Sequence, residues 1–386
     1  MTPKLTTLLL VFWTISAWGQ TVSLPPPSGD HSVGYATLDL ETGQADDLST
    51  QPGDRRTLKL EIWYPATPSP SHRAGPAFSP KMQDALSEQF PFPHGFANAT
   101  ATHSVVNAEA AGQSLPVVLF SPGLSFPVSL YQTFAEQLAS NGFVFVGVNH
   151  PHGVSFIEYA DGSTLDRSAW PAFDDREERE RFLAEHASVW EADLIETLKW
   201  IREGAKKSPI AGHVSLERIG GLGHSYGGTA TGRLARDGLI KAAVILEGAV
   251  RDPKDSESRG FLTTSAPLMH VIGGYNRLEM EGRQYRPSRN APVYQIIING
   301  AGHAHLSDLI LLYAQVADDE WHARHRYELE PDRILKITTD HILAMFDHYL
   351  LGREANVLLR PRSSADRTSS PSRGGYPEVE LSIAID

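Results

Sequence analysis

The segment ERIGGLGHSYGG (217–228) surrounds one serine, Ser225, with five glycines. It contains the pattern Gly-x-Ser-x-Gly at residues 223–227. In a sharp turn from a strand into a helix, the serine takes a strained backbone conformation and exposes its hydroxyl, and neighbours two positions away have no space for a side chain. An apolar segment precedes this pattern and a helix-like segment follows it. We therefore predict that Ser225 is a nucleophile at the end of a strand.

Short apolar segments recur along the chain, and most of them are apolar throughout rather than alternating with polar residues. This pattern is typical of strands that are covered on both faces by helices. The predicted strands are 57–65, 116–123, 143–151, 218–225, 241–248, 267–274 and 293–300. Segments with helical spacing lie between them, at 130–142, 188–204 and 331–352. Strands that alternate with helices predict an α/β fold with a mainly parallel central sheet flanked by helices.

A serine hydroxyl is a weak nucleophile unless a base lies within hydrogen-bond reach and an acid orients that base. In hydrolases with this type of serine turn, the acid and then the histidine follow on loops after later strands. One predicted strand ends at Glu247, and a later one is followed closely by His303. We predict Glu247 as the acid and His303 as the base. The alternatives are Asp252 or Asp255 for the acid and His305 for the base.

Two backbone amides are expected to bind the oxyanion that forms during ester cleavage. The first belongs to the residue after the nucleophile, which is Tyr226. The second comes from the loop after an earlier strand, where Gly123 permits close approach of the backbone. The amide of Leu124 is therefore predicted to be the second donor.

Four segments follow one another along the chain: FSPGLSFPVSLYQTFAEQLASNGFVFVGVNHPHG (120–153), ERIGGLGHSYGG (217–228), VILEG (244–248) and INGAGHAHLSD (298–308). As an ordered set, they resemble the plasma-type platelet-activating factor acetylhydrolases. Bacterial dienelactone-hydrolase-like and polyester-hydrolase relatives are similar too, and the resemblance extends from about residue 33 to residue 352.

The resemblance implies an α/β-hydrolase fold without metal or cofactor, and hydrolysis of short or oxidised acyl chains from phospholipids or related esters. By motif match, the resemblance assigns Ser225 as the nucleophile, Glu247 as the acid and His303 as the base. It assigns the oxyanion to the amides of Leu124 and Tyr226. Two positions depart from the family pattern: Glu247 replaces the usual aspartate, and Pro122 replaces the usual histidine before the oxyanion glycine. A secreted general esterase or a polyester- or dienelactone-type hydrolase is the alternative function.

Two other classes of protein compete with this interpretation. The pairs His150-Pro151-His152 and His303-Ala304-His305 have the spacing of metal ligands, but a catalytic metal site needs further ligands and usually a barrel. With 16 histidines in the chain, such pairs also arise by chance. We interpret His150 and His152 as groups that anchor a loop near the site. A non-catalytic binding protein would have no physical need for a complete serine, acid and histidine set.

Composition restricts the partners of the protein. The 386 residues carry a formal charge of −12, which argues against nucleic acid and against electrostatic docking on anionic lipid. The absence of cysteine excludes disulfides and a cysteine nucleophile. The charged segment 174–181 is interpreted as a solvated helix face. The sequence gives no indication of the oligomeric state.

The two ends of the chain differ from its centre. Residues 1–19 combine a short basic start, an apolar run and small residues, which predicts a signal peptide and a secreted or periplasmic protein without a transmembrane segment. An uncleaved anchor is the alternative. Residues 20–360 are predicted to form the hydrolase domain. Residues 361–386 are predicted to be a flexible linker, rich in Ser, Arg, Pro and Gly, followed by a C-terminal strand or strap.

Two aromatic segments, 89–99 and 168–173, lie outside the predicted strands. They either line the rim of an acyl pocket or pack onto the core. The sequence leaves open whether the leaving group is a lysophospholipid, a simple alcohol or a polyester end.

Overall fold

The computed structural model describes residues 22–49, 51, 53–68, 74–97, 101–248, 262–280, 285–318, 320, 328–354, 356–360 and 375–386. Its strands are β1 Ser32–Ala45, β2 Arg55–Ala66, β3 Ala74–Pro76, β4 Ala101–Val106, β5 Leu115–Ser121, β6 Val144–Asn149, β7 Phe156–Glu158, β8 Thr164–Asp166, β9 Val214–His224, β10 Ala243–Leu246, β11 Leu262–Thr263, β12 Leu268–Gly273, β13 Tyr285–Arg286, β14 Val293–Ile298 and β15 Val379–Ala384. Its α-helices are α1 Pro80–Gln89, α2 Gln132–Ser140, α3 Arg176–Arg202, α4 Ser225–Arg236, α5 Arg277–Met280, α6 Asp308–Val316 and α7 Pro331–Leu351.

Eleven of these strands form one sheet, in the order β15-β14-β12-β10-β9-β5-β6-β2-β1-β4-β3. The six strands from β14 to β6 in this order all run parallel to one another. Antiparallel pairing occurs toward the two sides, where β2 joins β6 and β15 joins β14. The predicted α/β fold with a mainly parallel central sheet is therefore confirmed.

Helices cover both faces of the central sheet. In β5, Phe120 packs in one core cluster with residues of α2, α6 and α7, whereas Leu119 packs in a second cluster with residues of α3 and α4. Strands that are buried on both faces have no solvent side on which polar residues are favoured. This explains why the central strands are apolar throughout in the sequence, and all seven predicted strand segments are strands in the structure.

Helix α3 begins earlier than its apolar spacing indicates. The spacing predicts a start at residue 188, but the helix starts at Arg176. Asp175 is its N-cap, and the carboxylate accepts hydrogen bonds from the amides of Glu177 (3.3 Å) and Glu178 (3.1 Å). The charged residues of the first turns are mostly exposed, which confirms the interpretation of this segment as a solvated helix face.

The C-terminal segment forms a strand that extends the sheet. Strand β15 pairs antiparallel with β14, with Ile296 opposite Leu381. The predicted signal peptide (1–19) and residues 361–374 of the predicted linker lie outside the described residues, and the domain boundaries stay predictions. Within the described part of the chain, no helix is long and apolar enough to cross a membrane.

A buried carboxylate links α6 to α2 and predicts a pH-dependent stability. Oδ2 of Asp308 accepts a hydrogen bond from the amide of Thr133 (3.1 Å), while no described group bonds Oδ1. Burial, with a smaller contribution from the charge of Glu136, raises the pKa of Asp308 from 3.8 to about 7. The folded state therefore binds the carboxyl proton of Asp308 more tightly than the unfolded state does. The stabilisation that this proton provides is lost as the pH rises from about 4 to about 7.

Replacing Asp308 by asparagine should therefore stabilise the protein at pH 8 more than at pH 5. Asparagine keeps an oxygen for the amide of Thr133 but carries no charge. At about 1.4 kcal/mol per pKa unit, the difference between the two pH values should amount to a few kcal/mol. Urea unfolding of both proteins at pH 5 and pH 8 measures it. Equal effects of Asp308→Asn at the two pH values would contradict the prediction.

Candidate active site

Ser225 lies at the junction of β9 and α4, as the sequence predicts. Its φ of 52° is in the left-handed region, which is strained for a residue other than glycine. A Cβ on Gly223 would lie 2.5 Å from Oγ1 of Thr231, and one on Gly227 would overlap the carbonyl oxygen of Pro122. The two glycines are therefore required by close approach of neighbouring groups, and the turn holds the serine in its strained conformation.

The burial pattern singles out the same residue. All residues from Ile219 to Ala235 are buried except Ser225, which keeps part of its surface exposed. A reactive hydroxyl must reach substrate, whereas the strand and helix around it must be covered by the core. The turn meets both requirements at one position.

Glu247 and His303 lie on different loops and form a short hydrogen bond. Nδ1 of His303 is 2.5 Å from Oε2 of Glu247. The carboxylate is fully buried, while the imidazole is 41% exposed. Since a carboxylate accepts the proton of Nδ1, Nε2 is the ring nitrogen that is available to take a proton from another group.

Two further groups fix the carboxylate of Glu247. The amide of Gly273 donates to Oε1 (2.6 Å), and Nδ2 of Asn276 donates to Oε2 (2.7 Å). A Cβ on Gly273 would lie only 2.6 Å from Oε1, so the absence of a side chain makes room for the longer acid. The sequence reasoning missed both residues, although the Gly273-Gly274 pair at the end of a predicted strand without an acid was a usable signal.

The loop that carries His303 packs against the serine turn. The rings of His224 and His303 are 4.6 Å apart, and Nε2 of His224 lies 3.2 Å from the backbone oxygen of His303. Because His224 directly precedes Ser225, the serine turn and the acid–histidine pair lie next to each other. The site lies at the carboxyl ends of the parallel strands, where ligands bind in open α/β sheets.

The loop after β5 approaches the first turn of α4. The amide of Gly227 donates to the carbonyl oxygen of Pro122 (3.1 Å), which ties this loop to the serine turn. No hydrogen bond to the amide of Leu124 occurs within the described residues. Tyr226 directly follows Ser225, and its amide belongs to the first turn of α4.

The alternative site residues have other positions. Asp252 and Asp255 lie outside the described residues. Nδ1 of His305 accepts a hydrogen bond from the amide of Gly302 (3.2 Å) within its own loop, and burial lowers the pKa of His305. The histidine whose Nδ1 bonds the buried acid is His303.

The histidine pair after β6 anchors buried groups, which agrees with its interpretation as a structural element. Nε2 of His150 is 2.9 Å from Oγ of Ser121, and Nδ1 is 2.8 Å from Oδ2 of Asp193. Nε2 of His152 faces Asp46 at 3.3 Å. Within the described ranges, no group of three or more His, Cys, Asp or Glu side chains is arranged to hold a metal ion.

The two aromatic segments behave differently. Phe92 and Phe96 are buried in the core and stack at 4.2 Å, so they pack onto the core. Trp170 of the second segment is half-buried, and its ring lies 6.5 Å from the ring of Tyr226. The second segment therefore lies close to the site.

The sheet topology and the serine turn define an α/β-hydrolase fold. A solved structure of a ferulic acid esterase from Streptomyces cinnamoneus has the same fold, with a TM-score of 0.70 and 21% identity over 93% of this chain and 99% of that chain. The family model for platelet-activating factor acetylhydrolase, isoform II, matches residues 16–358. The chain belongs to this family, and the resemblance found in the four sequence segments is confirmed.

Two curated relatives agree with the family. A probable 1-alkyl-2-acetylglycerophosphocholine esterase of Arthroderma benhamiae is 24% identical over 253 residues, which are 59% of this chain and 59% of that protein. The platelet-activating factor acetylhydrolase of Cavia porcellus is 21% identical over 259 residues, 60% of this chain and 57% of that protein. The matches thus span less than two thirds of each relative. The names of both relatives agree with the predicted class of carboxylic ester hydrolase, which stays a prediction for this chain.

Proposed function

We propose that this protein is a serine carboxylic-ester hydrolase that removes short or oxidised acyl chains from phospholipids or related esters. The observation that carries the proposal is the 2.5 Å hydrogen bond between His303 and the buried carboxylate of Glu247, beside the strained Ser225. A buried carboxylate on Nδ1 orients the imidazole and stabilises its charged form, which is what a general base for a serine needs.

The reaction has two steps. Nε2 of His303 takes the proton of Ser225 while Oγ attacks the ester carbonyl carbon, and the amides of Leu124 and Tyr226 bind the oxyanion. The intermediate then collapses to an acyl-enzyme, and His303 returns the proton to the leaving oxygen. In the second step, His303 deprotonates a water molecule, whose oxygen attacks the acyl carbonyl carbon. The intermediate then collapses, the bond to Oγ breaks, and His303 returns the proton to Oγ, which releases the carboxylic acid and free Ser225.

The family and the names of the two relatives support a phospholipid with a short sn-2 acyl chain as substrate. The acidic charge of −12 disfavours attraction to anionic lipid and fits a zwitterionic or neutral ester. The basic and apolar pattern of residues 1–19 supports a signal peptide and a secreted or periplasmic location. Lipid degradation outside the cytoplasm is therefore the proposed role.

The acyl-length preference tests this substrate class. Zwitterionic phospholipids with sn-2 chains from acetyl to long should be cleaved with a kcat/KM that falls steeply as the chain lengthens. Simple acetyl esters serve as the control for a general esterase. If the simple and polyester-type substrates are cleaved and no phospholipid is, the alternative, a general esterase or polyester- or dienelactone-type hydrolase, replaces the phospholipid proposal.

A further inference from the structure

A chain of three hydrogen bonds connects the parts of the site. The amide of Gly123 lies 3.1 Å from Oη of Tyr131, and the same Oη lies 2.7 Å from Nδ1 of His224. Nε2 of His224 lies 3.2 Å from the backbone oxygen of His303. The chain thus runs from the residue before Leu124, through the residue before Ser225, to the loop of the base.

Only one arrangement of protons satisfies every member of this chain. The amide of Gly123 is a donor, so Oη of Tyr131 accepts there and its own hydrogen is left for Nδ1 of His224. Nδ1 must then be the acceptor, and the ring proton lies on Nε2, which donates to the carbonyl of His303. If the ring proton of His224 were on Nδ1, the hydroxyl hydrogen of Tyr131 would have no acceptor. The lone pair of Nε2 would then face the carbonyl oxygen of His303.

Burial keeps both side chains in this neutral form. Tyr131 and His224 are fully buried. Burial raises the pKa of Tyr131, and burial together with the neighbouring His303 holds the pKa of His224 well below its ordinary value. A change of protonation in either residue would require a charge in the core, so the polarity of the chain is fixed across the pH range in which an esterase works.

We propose that Tyr131 and His224 are positioning residues that fix the oxyanion loop relative to the loop of His303. This proposal rests on the proposed function, since it assigns the amide of Leu124 to the oxyanion. Both side chains lie behind the reacting groups and take no proton from them. Their contribution is geometric, because a displacement of about 1 Å in a catalytic group lowers the rate about 100-fold.

The direct test is Tyr131→Phe, which keeps the ring and removes the hydroxyl that joins Gly123 to His224. We expect kcat for an acetyl ester to fall about 10- to 100-fold, because the oxyanion amide loses its support. KM should change little, because the substrate contacts are kept. Tyr64→Phe is the matched control: its buried hydroxyl donates to the carbonyl of Ala108 (2.8 Å), away from the site, and its loss should leave kcat unchanged.

Two substitutions at His224 separate the links. In His224→Asn, the side-chain oxygen of asparagine lies near the position of Nδ1 and can accept a hydrogen bond from Tyr131. The shorter side chain does not reach the carbonyl of His303. Glutamine reaches that carbonyl with its NH₂ group but loses the acceptor for Tyr131. We expect His224→Asn and His224→Gln both to lower kcat, and Tyr131→Phe to add less than its full effect to His224→Gln, in which the same link is already broken.

The outcomes distinguish this inference from the proposed function. Ser225→Ala is measured in the same assay, and full activity there would remove the proposed function itself. If Ser225→Ala is inactive while Tyr131→Phe retains wild-type kcat, the positioning role alone is wrong. The positioning role would also be wrong if the fall in kcat of Tyr131→Phe matched its loss of folded protein in urea unfolding and if Tyr64→Phe showed the same fall.

Discussion

Replacing Ser225 by alanine should abolish ester hydrolysis and leave the fold intact. The substitution removes the atom that forms the acyl-enzyme, and no other hydroxyl takes its position at the turn. In serine hydrolases, loss of the nucleophile lowers kcat by about 10⁶-fold. Alanine and serine face the same backbone strain at a φ of 52°, so the free energy of unfolding should change little.

Hydrolysis of short-chain esters and urea unfolding of the same samples measure the two parts of this prediction. Ser208→Ala is the matched control, because Ser208 lies in the connection between α3 and β9, at the far end of β9 from Ser225. Its hydroxyl donates to the carbonyl of Ala205 at 2.6 Å. Wild-type activity in Ser225→Ala would show that another group is the nucleophile.

Replacing Glu247 by glutamine should have the second largest effect, with kcat falling about 10⁴-fold. Three donors point at the carboxylate: Nδ1 of His303, the amide of Gly273 and Nδ2 of Asn276. Glutamine offers one oxygen and one NH₂ group. If NH₂ replaces Oε1, two buried N–H donors face each other at Gly273. If it replaces Oε2, His303 must move its proton to Nε2 and can no longer accept one from Ser225.

The companion variant Glu247→Asp separates charge from reach. Aspartate keeps the negative charge but is one methylene shorter, so it should retain more activity than Glu247→Gln and less than the wild type. The measurement is kcat for an acetyl ester across a pH series, with urea unfolding to confirm that each variant is folded. If Glu247→Gln were at least as active as Glu247→Asp, the assigned role of the carboxylate would be contradicted.

Local patterns in the sequence predict much of the fold. The seven apolar segments are strands because burial on both faces removes polar residues from them, and that signal needs no tertiary information. Strand β1 was missed because it alternates and pairs antiparallel near one side of the sheet. The start of α3 was missed because a capping carboxylate, rather than apolar spacing, sets it.

Some residues of the candidate site can be predicted from the sequence and others cannot. Ser225 follows from a local pattern, and Glu247 and His303 follow from chain order along the sheet. Gly273 and Asn276 were missed because their contacts with the acid depend on how two neighbouring strands end. Tyr131 and His224 were missed for a related reason: their hydrogen bonds join segments that are 93 residues apart, and no spacing within one segment reveals such a link.

The central claim is that an acyl group passes through Ser225. The most direct test is to mix the protein with an activated acetyl ester, quench within the first turnover and locate the acetyl group by peptide mass spectrometry. The account predicts one acetyl group on the peptide that contains Ser225, and none in Ser225→Ala. Turnover of the ester by the wild-type protein with no acyl group on Ser225 would contradict the account.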